Sequence, residues 1–469
     1  MTRAHPGQAA TWIPYSGITG LAWPALPPTA GQAVLATQLQ FELSQWLSFE
    51  TIRARQYGQL RRLVRFAIEQ VPHYRDHLAA TGLSGVEAID HENFLHWPVL
   101  AKSAVQQDGN RFLSRNLPEG HAGVHWTTTS GSTGQPLRAA NSGSGIFFQH
   151  ALLLRSQIWY GLDPREKFAI IRATTPTAVN ADWGMPANMA FRTGPSVTMS
   201  AFEDHRDQLR WLRREAPTYL LAHNTNLRAL LGTSVRDELI PASIRVVIGF
   251  ADMAAPDTTE LAHEHWHASY FQTYSCSEVG TMALQCPLRE HLHVQSEHVL
   301  LEILRPDGSP CVPGEVGRVV VTDLHNFAMP LIRYELGDQA AFGAPCACGR
   351  GLPVLQEIAG RTSDLAIDPT GRSFFAHMNL GFWATAAPIL QRQIVQTAAD
   401  HLEIRFVAQR DLTADECAQL VAAVRSAMRY DYRVTLTRVA RIALGPGGKF
   451  SDFVSLIGRT VSAVPPHGP

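Results

Sequence analysis

The sequence predicts an α/β protein that ends in a smaller unit of mixed α and β structure. Three observations carry that expectation. Short apolar strands alternate with helices between Ile146 and Gly249, the order of a sheet covered by helices. From His298 onward, strands follow one another through turn-rich segments, as in hairpins. Past Gly360-Arg361, a shorter set of strands and helices has the length of a separate domain. The expected divisions are an N-terminal arm and helical part (1–120), a core (121–360) and a C-terminal unit (361–469).

Residues 1–35 are rich in Pro, Gly and Ala and are expected to form an irregular arm. Helical spacing then runs from Gln38 to about Leu83, with Leu60, Leu63, Phe66 and Ala67 recurring at helical intervals. Val71-Pro72-His73-Tyr74 breaks that pattern, because the residue before a proline avoids the helical region. Residues 90–120 read as short helices and loops. Ile146 to Tyr160 is an amphipathic helix, stopped by Gly161 and Asp163-Pro164. Phe168 to Ile171, Tyr219 to Leu221 and Ile244 to Ile248 are strands, with helices at Asp207 to Arg214 and Asn226 to Leu231 between them. Val299 to Leu304 and Gly317 to Thr322 pair across the turn-rich Arg305 to Gly314. The last unit holds a strand at Leu365 to Ile367, a Pro-Thr-Gly turn, a helical stretch and a strand at Leu402 to Val407. A helix from Thr413 to Arg429 and a strand at Arg433 to Leu436 follow.

With 40 Lys+Arg against 41 Asp+Glu in 469 residues, the net charge is −1. That offers no footprint for nucleic acid or for a membrane surface. A hydrophobic content of 45% with 17% charged residues excludes wholesale disorder. No apolar run approaches the roughly 20 residues that span a bilayer. The opening MTRAHPGQAATWIPYSG lacks the apolar core of a secretory signal, so the expected compartment is the cytoplasm, where thiols stay reduced.

Five stretches carry chemistry. In Thr127-Thr128-Thr129-Ser130-Gly131-Ser132-Thr133-Gly134-Gln135-Pro136, hydroxyls and backbone N–H groups can surround a polyphosphate, and glycines let the main chain approach. No Gly-Lys-Ser/Thr follows, so this is not a Walker loop. In Gln272-Thr273-Tyr274-Ser275-Cys276-Ser277-Glu278-Val279-Gly280, Tyr274 offers a face to a base and Glu278 a carboxylate to Mg²⁺ beside a phosphate. In Ile332-Arg333-Tyr334-Glu335-Leu336-Gly337-Asp338, Asp338 after a turn glycine can accept from both ribose hydroxyls. Gly360-Arg361-Thr362-Ser363-Asp364 flanks the domain boundary, and Gly445-Pro446-Gly447-Gly448-Lys449 presents one lysine on a flexible loop. Among six cysteines, Cys346-Ala347-Cys348 is a tight pair, and Cys286 stands close to His291 and His293. Thiolate and imidazole suit tetrahedral Zn²⁺, although Cys-x-Cys is shorter than the usual spacing.

The order of these stretches resembles the adenylate-forming superfamily of acyl-CoA ligases, peptide-synthetase adenylation domains and luciferases. The nearest likeness is to the phenylacetate–CoA ligase branch and its capsule-biosynthesis-type relatives. It runs from about Val71 to Lys449 through "VPHYR", "WPVLAKS", "TTTSGSTGQP", "YSCSEVG", "GEVGRVVVTDL", "LIRYELGD", "CACGR", "GRTSDL" and "GGKF". The resemblance implies a large N-terminal domain of stacked β-sheets flanked by helices and a small mobile C-terminal lid. It implies ATP and Mg²⁺, and conversion of a carboxylic acid, aromatic or arylacetic by branch, into an acyl-adenylate. CoA is the implied acceptor, with a carrier protein or an amine as alternatives; a nucleotide-binding protein without turnover is the reading from another class. A homodimer stays open.

By the same resemblance, Thr129, Ser130, Ser132 and Thr133, with the Gly131 and Gly134 backbone, grip the β- and γ-phosphates. Glu278 holds Mg²⁺. Tyr274, Ser275 and the Gly249-Phe250-Ala251 turn line the adenine slot, and Asp338 takes the ribose with Arg361 nearby. Lys449 bridges the carboxylate and the α-phosphate, and Asp364 sits at the hinge. An apolar acid pocket is expected near Phe250, Ala251, Gly280 and Thr281. Some members of the branch carry a structural zinc, which assigns Cys286, His293, Cys346 and Cys348 as ligands with His291 as the competing imidazole. Departures stand beside these. Gln135 replaces the usual lysine, Ser275 a glycine, and Cys276 is an insert. Phe450-Ser451-Asp452 follows Lys449 in place of basic residues. Arg372-Ser373-Phe374-Phe375 replaces the Gly-Val-Asn-Val stretch that helps guide the pantetheine arm in relatives.

Overall fold

A computed structural model gives the fold; it describes residues 12–75, 85–121, 123–128, 137–173, 175–288, 291–361, 365–370, 373–375, 389–428, 430–442 and 453–457. The chain divides into two compact units, the first running to Ala359 and the second starting at Gly360.

The first unit opens with two helices, Thr29–Ser44 and Phe49–Gln70. The expected arm is therefore shorter than 35 residues. Pro28 precedes the first helix, where a missing N–H costs nothing, and Val34, Thr37 and Phe41 supply a buried stripe. Nor is the helical run from Gln38 continuous. Ser48 starts a second helix by accepting from the Thr51 N–H at 3.3 Å. Leu60, Leu63, Val64 and Ala67 of that helix pack with Tyr74, Phe94, Trp97 and Ile332. Past Tyr74, residues 76–84 lie outside the described set.

A hairpin comes next, β1 (Val124–Thr128) with β2 (Arg138–Ser142). It is followed by the helix Gly143–Trp159, which starts three residues before the expected Ile146 because Ser142 caps it. The main sheet contains β3 (Phe168–Arg172), β4 (Ala178–Asn180), β5 (Ser196–Ser200), β6 (Tyr219–His223), β7 (Val246–Phe250), β8 (Ser269–Cys276), β9 (Gly280–Gln285), β10 (Leu292–Val294), β11 (Val299–Leu304), β12 (Gly317–Asp323), β13 (Tyr334–Phe342) and β14 (Val354–Arg361). Their order is β11-β12-β13-β14-β10-β9-β8-β7-β6-β3-β5-β4, a series of twelve hydrogen-bonded neighbours.

The run β5-β3-β6-β7-β8 is parallel, and β8-β9-β10-β14 is antiparallel. Both faces of the parallel run are covered, as such sheets require. On β6, Leu220 and Ala222 face Leu212 of the helix His205–Glu215, Leu227 and Leu231 of Asn224–Arg236, and Trp266 of Thr258–Trp266. Tyr219 and Leu221, one residue out of phase, face Phe41, Leu152 and Trp159. The antiparallel half packs Met282, Ala283, Leu301 and Val321 against Leu137 and Ala139. Among the described residues, no helix is long and apolar enough to cross a membrane.

In the second unit, β15 (Leu365–Ile367) pairs with β16 (Ser373–Phe375). The other sheet, of four strands, has β17 (Ile389–Ala398) and β18 (His401–Ala408) antiparallel at its centre. β19 (Arg433–Arg438) and β20 (Phe453–Ser455) run parallel to them at the edges. Leu420 and Val424 of the helix Ala414–Met428 pack on Ile394, Leu402 and Ile404. β17 was not expected: its apolar residues come as the pairs Ile389-Leu390 and Ile394-Val395 with polar runs between, not the residue-by-residue alternation that announces a strand. Between the Pro-Thr-Gly turn and Leu402, where a helical stretch was expected, the described residues form β16 and β17 instead, and residues 376–388 lie outside the described set.

Candidate active site

Ligands of open α/β sheets gather outside the carboxyl ends of parallel strands, where the strand order changes direction. Here the order reverses between β3 and β6; the motif residues gather a little further along the same edge, at the carboxyl ends of β7 and β8, where the parallel run gives way to antiparallel β9. Phe250 is opposite Thr273 in their parallel register, so the Phe250-Ala251-Asp252 turn leaves the sheet beside Tyr274. Ala251 holds φ at 74°, a left-handed value that a residue with a Cβ adopts only under constraint. Gly249 is needed for another reason: a Cβ there would collide with Asn224 Oδ1 and Tyr270 Oη, which are bonded to each other at 2.7 Å.

β8 turns into β9 through the loop that carries Glu278. A bulge between Tyr274 and Ser275 shifts the register, and such bulges re-aim side chains. Glu278 is 3% exposed. Lys102 Nζ donates to its Oε1 at 2.8 Å, and the Tyr334 hydroxyl donates to the same oxygen at 3.2 Å. Neither of them engages Oε2. Burial pushes this carboxyl up, but the Lys102 ammonium and the hydrogen bonds outweigh it and hold the group below its usual range. Burial and the Glu278 charge push the Tyr334 hydroxyl up, so it remains a donor.

Tyr274 is buried, and its hydroxyl donates to Asp338 Oδ2 at 2.8 Å. Asp338 was expected in a turn; it lies within β13, where Leu336-Gly337-Asp338 falls in a register irregularity against β12. Gly337 at φ 81° makes that irregularity feasible, and it delivers the carboxylate to Tyr274. Thr127 Oγ1 at the end of β1 donates to the Ser277 carbonyl at 3.2 Å, so the Ser/Thr/Gly stretch departs from β1 next to Glu278.

The surroundings of the expected acid pocket are not purely apolar. Phe250 has the His223 ring 4.7 Å away and the Arg172 guanidinium 5.1 Å from its centroid. Gly280, at φ 83°, leaves room that a Cβ would take from the Gln149 side chain. Thr281, half-buried, pairs with Ser275, and Cys276 with Gly280. Burial and the neighbouring Glu278 push the Cys276 thiol up, which removes it as a thiolate nucleophile.

Cys286, His293, Cys346 and Cys348 bring their ligand atoms within 4.8 Å of one another. Cys286 Sγ is 3.9 Å from Cys346 Sγ, and Cys348 Sγ is 3.3 Å from His293 Nε2. A tetrahedron with Zn–S of about 2.3 Å and Zn–N of about 2.0 Å has edges of roughly 3.3–3.8 Å, so the donor set fits Zn²⁺. His293 Nδ1 lies 3.3 Å from the Leu352 carbonyl, which assigns it the hydrogen and leaves Nε2 toward the thiols. His291, ring centre 5.5 Å from that of His293, is not in the cluster.

Thr129, Ser130, Gly131, Ser132, Thr133, Gly134, Asp364 and Lys449 lie outside the described residues, as does the side chain of Arg361 at the end of β14. Lys102, Tyr334 and Gln149 escaped the sequence reading as site residues, and Thr127 stood in the Ser/Thr/Gly stretch without a role of its own. Lys102 stands in "WPVLAKS" and Tyr334 in "LIRYELGD", but nothing local points either of them at Glu278.

No family model matches the chain. It is 25% identical to a phenylacetate–coenzyme A ligase of Thermus thermophilus, over 68% of this chain and 72% of that protein. It is 23% identical to the Escherichia coli protein of the same name, over 71% and 76%. A crystal structure of 2-hydroxyisobutyryl-CoA ligase in the postadenylation state, in complex with 2-HIB-AMP, superimposes with a TM-score of 0.69. It covers 88% of this chain and 91% of that one at 15% identity. Sequence likeness over two thirds of the chain and a shared fold over most of it agree: the chain is similar to the phenylacetate–coenzyme A ligases and has the fold of 2-hydroxyisobutyryl-CoA ligase.

Proposed function

We propose that this chain activates an aromatic or arylacetic acid with ATP and passes the acyl group to CoA. In the first step a carboxylate oxygen bonds the α-phosphorus and pyrophosphate leaves. In the second the thiol sulfur bonds the acyl carbon, AMP leaves, and the thiol proton goes to solvent. The barrier to the first step is largely repulsion between an anion and a polyanion, so catalysis rests on position and charge. The single observation that carries this reading is the meeting of Thr127 with Ser277, Lys102 and Tyr334 with Glu278, and Tyr274 with Asp338 around one sheet end.

Thr129, Ser130, Ser132 and Thr133, with the Gly131 and Gly134 backbone, receive the outer phosphates. When bound, Mg²⁺ supplies neutralising charge at those phosphates, and Glu278 Oε2 is the atom of this chain that would hold it. Asp338, fixed by the Tyr274 hydroxyl, accepts from the ribose, with Arg361 near it; Ser275 and the Gly249-Phe250-Ala251 turn border the base. Lys449 meets the carboxylate and the α-phosphate. Phe250, Ala251, Gly280 and Thr281 border the acid, with Gln149, His223 and Arg172 as polar neighbours that favour a substituted ring over a bare one. Zn²⁺ held by Cys286, His293, Cys346 and Cys348 would supply a structural tie between the segment after β9 and the one after β13, with no part in the chemistry.

Pyrophosphate exchange across a panel of acids tests the first step, and product mass with CoA, a carrier protein or amines tests the second. ATP binding with no exchange for any acid would overturn the reading in favour of a nucleotide-binding protein without turnover. Replacement of the pantetheine-guiding stretch by Arg372-Ser373-Phe374-Phe375 favours one second reading, delivery to a carrier protein or an amine.

A further inference from the structure

A second set of ligand-bearing side chains stands apart from the cysteines. His298 precedes β11, Asp323 ends β12, and His325 follows two residues later; Val299 and Asp323 are opposite each other in the antiparallel register, so all three meet at one end of that hairpin. Their ligand atoms lie within 4.8 Å of one another. His298 Nδ1 is 3.5 Å from His325 Nδ1 and 3.8 Å from Asp323 Oδ1. A tetrahedral ion with bonds of about 2.0–2.1 Å has ligand–ligand edges of roughly 3.4 Å, so these separations suit a common metal.

Three features of the cluster bear on an ion. First, His298 Nε2 lies 3.0 Å from the Val279 carbonyl. That nitrogen carries the hydrogen and donates, which leaves a lone pair on Nδ1 turned toward His325 and Asp323; a backbone carbonyl in this role is the usual partner of a metal-bound imidazole. Second, the two Nδ1 atoms face each other; one shared hydrogen satisfies that pair, and an ion bound by both would take its place. Third, the Asp323 side chain is 1% exposed. Its Oδ1 accepts the His325 backbone N–H at 2.9 Å, but among the described residues its Oδ2 has no hydrogen-bond partner. A buried carboxylate oxygen without a partner is costly and rare in native structures. The surroundings hold the rings in place: His325 stacks on Phe148 with centroids 3.7 Å apart and planes 21° from parallel.

We propose that His298, Asp323 and His325 form a second metal site, taking a first-row divalent ion such as Zn²⁺ through two imidazole Nδ1 atoms and one carboxylate. The N₂O donor set selects Zn²⁺ or Co²⁺ over Mg²⁺ and Ca²⁺, which prefer oxygen. Three protein ligands leave one tetrahedral position for water or for a group of a bound molecule. Because His298 is bonded to the residue that follows Glu278, an ion here also steadies the loop that carries that carboxylate.

The test uses the full chain, stripped by a chelator and dialysed against Zn²⁺ or Co²⁺ alone, with bound metal measured by mass spectrometry and visible absorption. His325→Ala removes a half-buried ring and Asp323→Asn keeps the shape of the side chain; circular dichroism checks that each is folded. The expected result is that each folded variant binds about one ion per chain fewer than wild type and keeps the thiolate-to-cobalt absorption of the cysteine cluster. Cys348→Ser should show the converse: visible cobalt bands without the thiolate absorption. Wild-type stoichiometry in both folded variants would overturn the proposal. So would a wild-type protein whose bound metal disappears entirely with Cys348→Ser.

Discussion

The ammonium of Lys102 lies 2.8 Å from Oε1 of Glu278, across 176 residues of chain, with the Lys102 side chain 27% exposed and that of Glu278 4%. A carboxylate that buried is kept charged by its partner, so the pair decides the protonation state of the residue assigned to Mg²⁺. Its Oε2 stays outside the pair, which leaves that oxygen for the Mg²⁺ proposed there.

Replacing Lys102 by Met should move the acid limb of activity upward. Glu278 is depressed below the ordinary carboxylate range in the folded chain, so it is charged throughout the neutral range and loses its charge only as pH falls through the lowered value. Without the ammonium, burial dominates and the folded value rises. The acid limb of pyrophosphate exchange should shift to higher pH. An acid limb identical to wild type would mean that Glu278 does not govern it.

Tyr274→Phe removes the hydroxyl that fixes Asp338 and leaves the buried ring. A hydrogen bond to a charged group contributes about 1.5–3 kcal/mol. If that energy positions the carboxylate for ribose, KM for ATP should rise roughly tenfold or more while kcat stays within a few-fold. A loss confined to kcat would remove Asp338 from nucleotide binding.

Cys348→Ser should abolish zinc at the cysteine cluster and lower the thermal midpoint of the large unit by several degrees. Chelation of wild type should reproduce the shift, and chelation of the variant should add nothing attributable to this cluster. Wild-type zinc content and midpoint in Cys348→Ser would rule out the four-residue ligand set.

Lys449→Ala should reduce acyl-adenylate formation by orders of magnitude and spare acyl transfer from a preformed adenylate. The two half-reactions are measured separately, the first by pyrophosphate exchange and the second by thioester yield from synthetic adenylate. Equal losses in both would show that the lysine does not serve the first step alone.

Much of the architecture was legible in the sequence. Strands β3, β6 and β7 are short apolar runs bounded by turn residues, and the helix His205–Glu215 announces itself by Asp204 as its cap and by Leu209 and Leu212 on its buried face. Strands β13 and β14 were missed because their residues do not alternate cleanly: β13 is buried at alternate positions yet contains Gly337 and Asp338, which read as a turn. The motif "LIRYELGD" was legible as a motif, but not the division of labour within it. Arg333, at φ 48° and 2% exposed, is a structural cation. It is paired with Glu302 at 2.8 Å and bonded to the Leu95 and Trp97 carbonyls. Tyr334, the next residue, points to Glu278 instead.

What the sequence determined alone is local: periodicity sets helix or strand, capping residues set the ends, and the order of short loops carries the likeness to acyl-CoA ligases. What only the tertiary structure decided is which side chains meet. Lys102 reached Glu278, Tyr274 reached Asp338, and His298 came to face Asp323 and His325, because burying the apolar faces of the sheet dictates where each strand ends. Hydrophobic burial depends on area and carries no direction, so it leaves no local mark on the polar residues whose positions it determines.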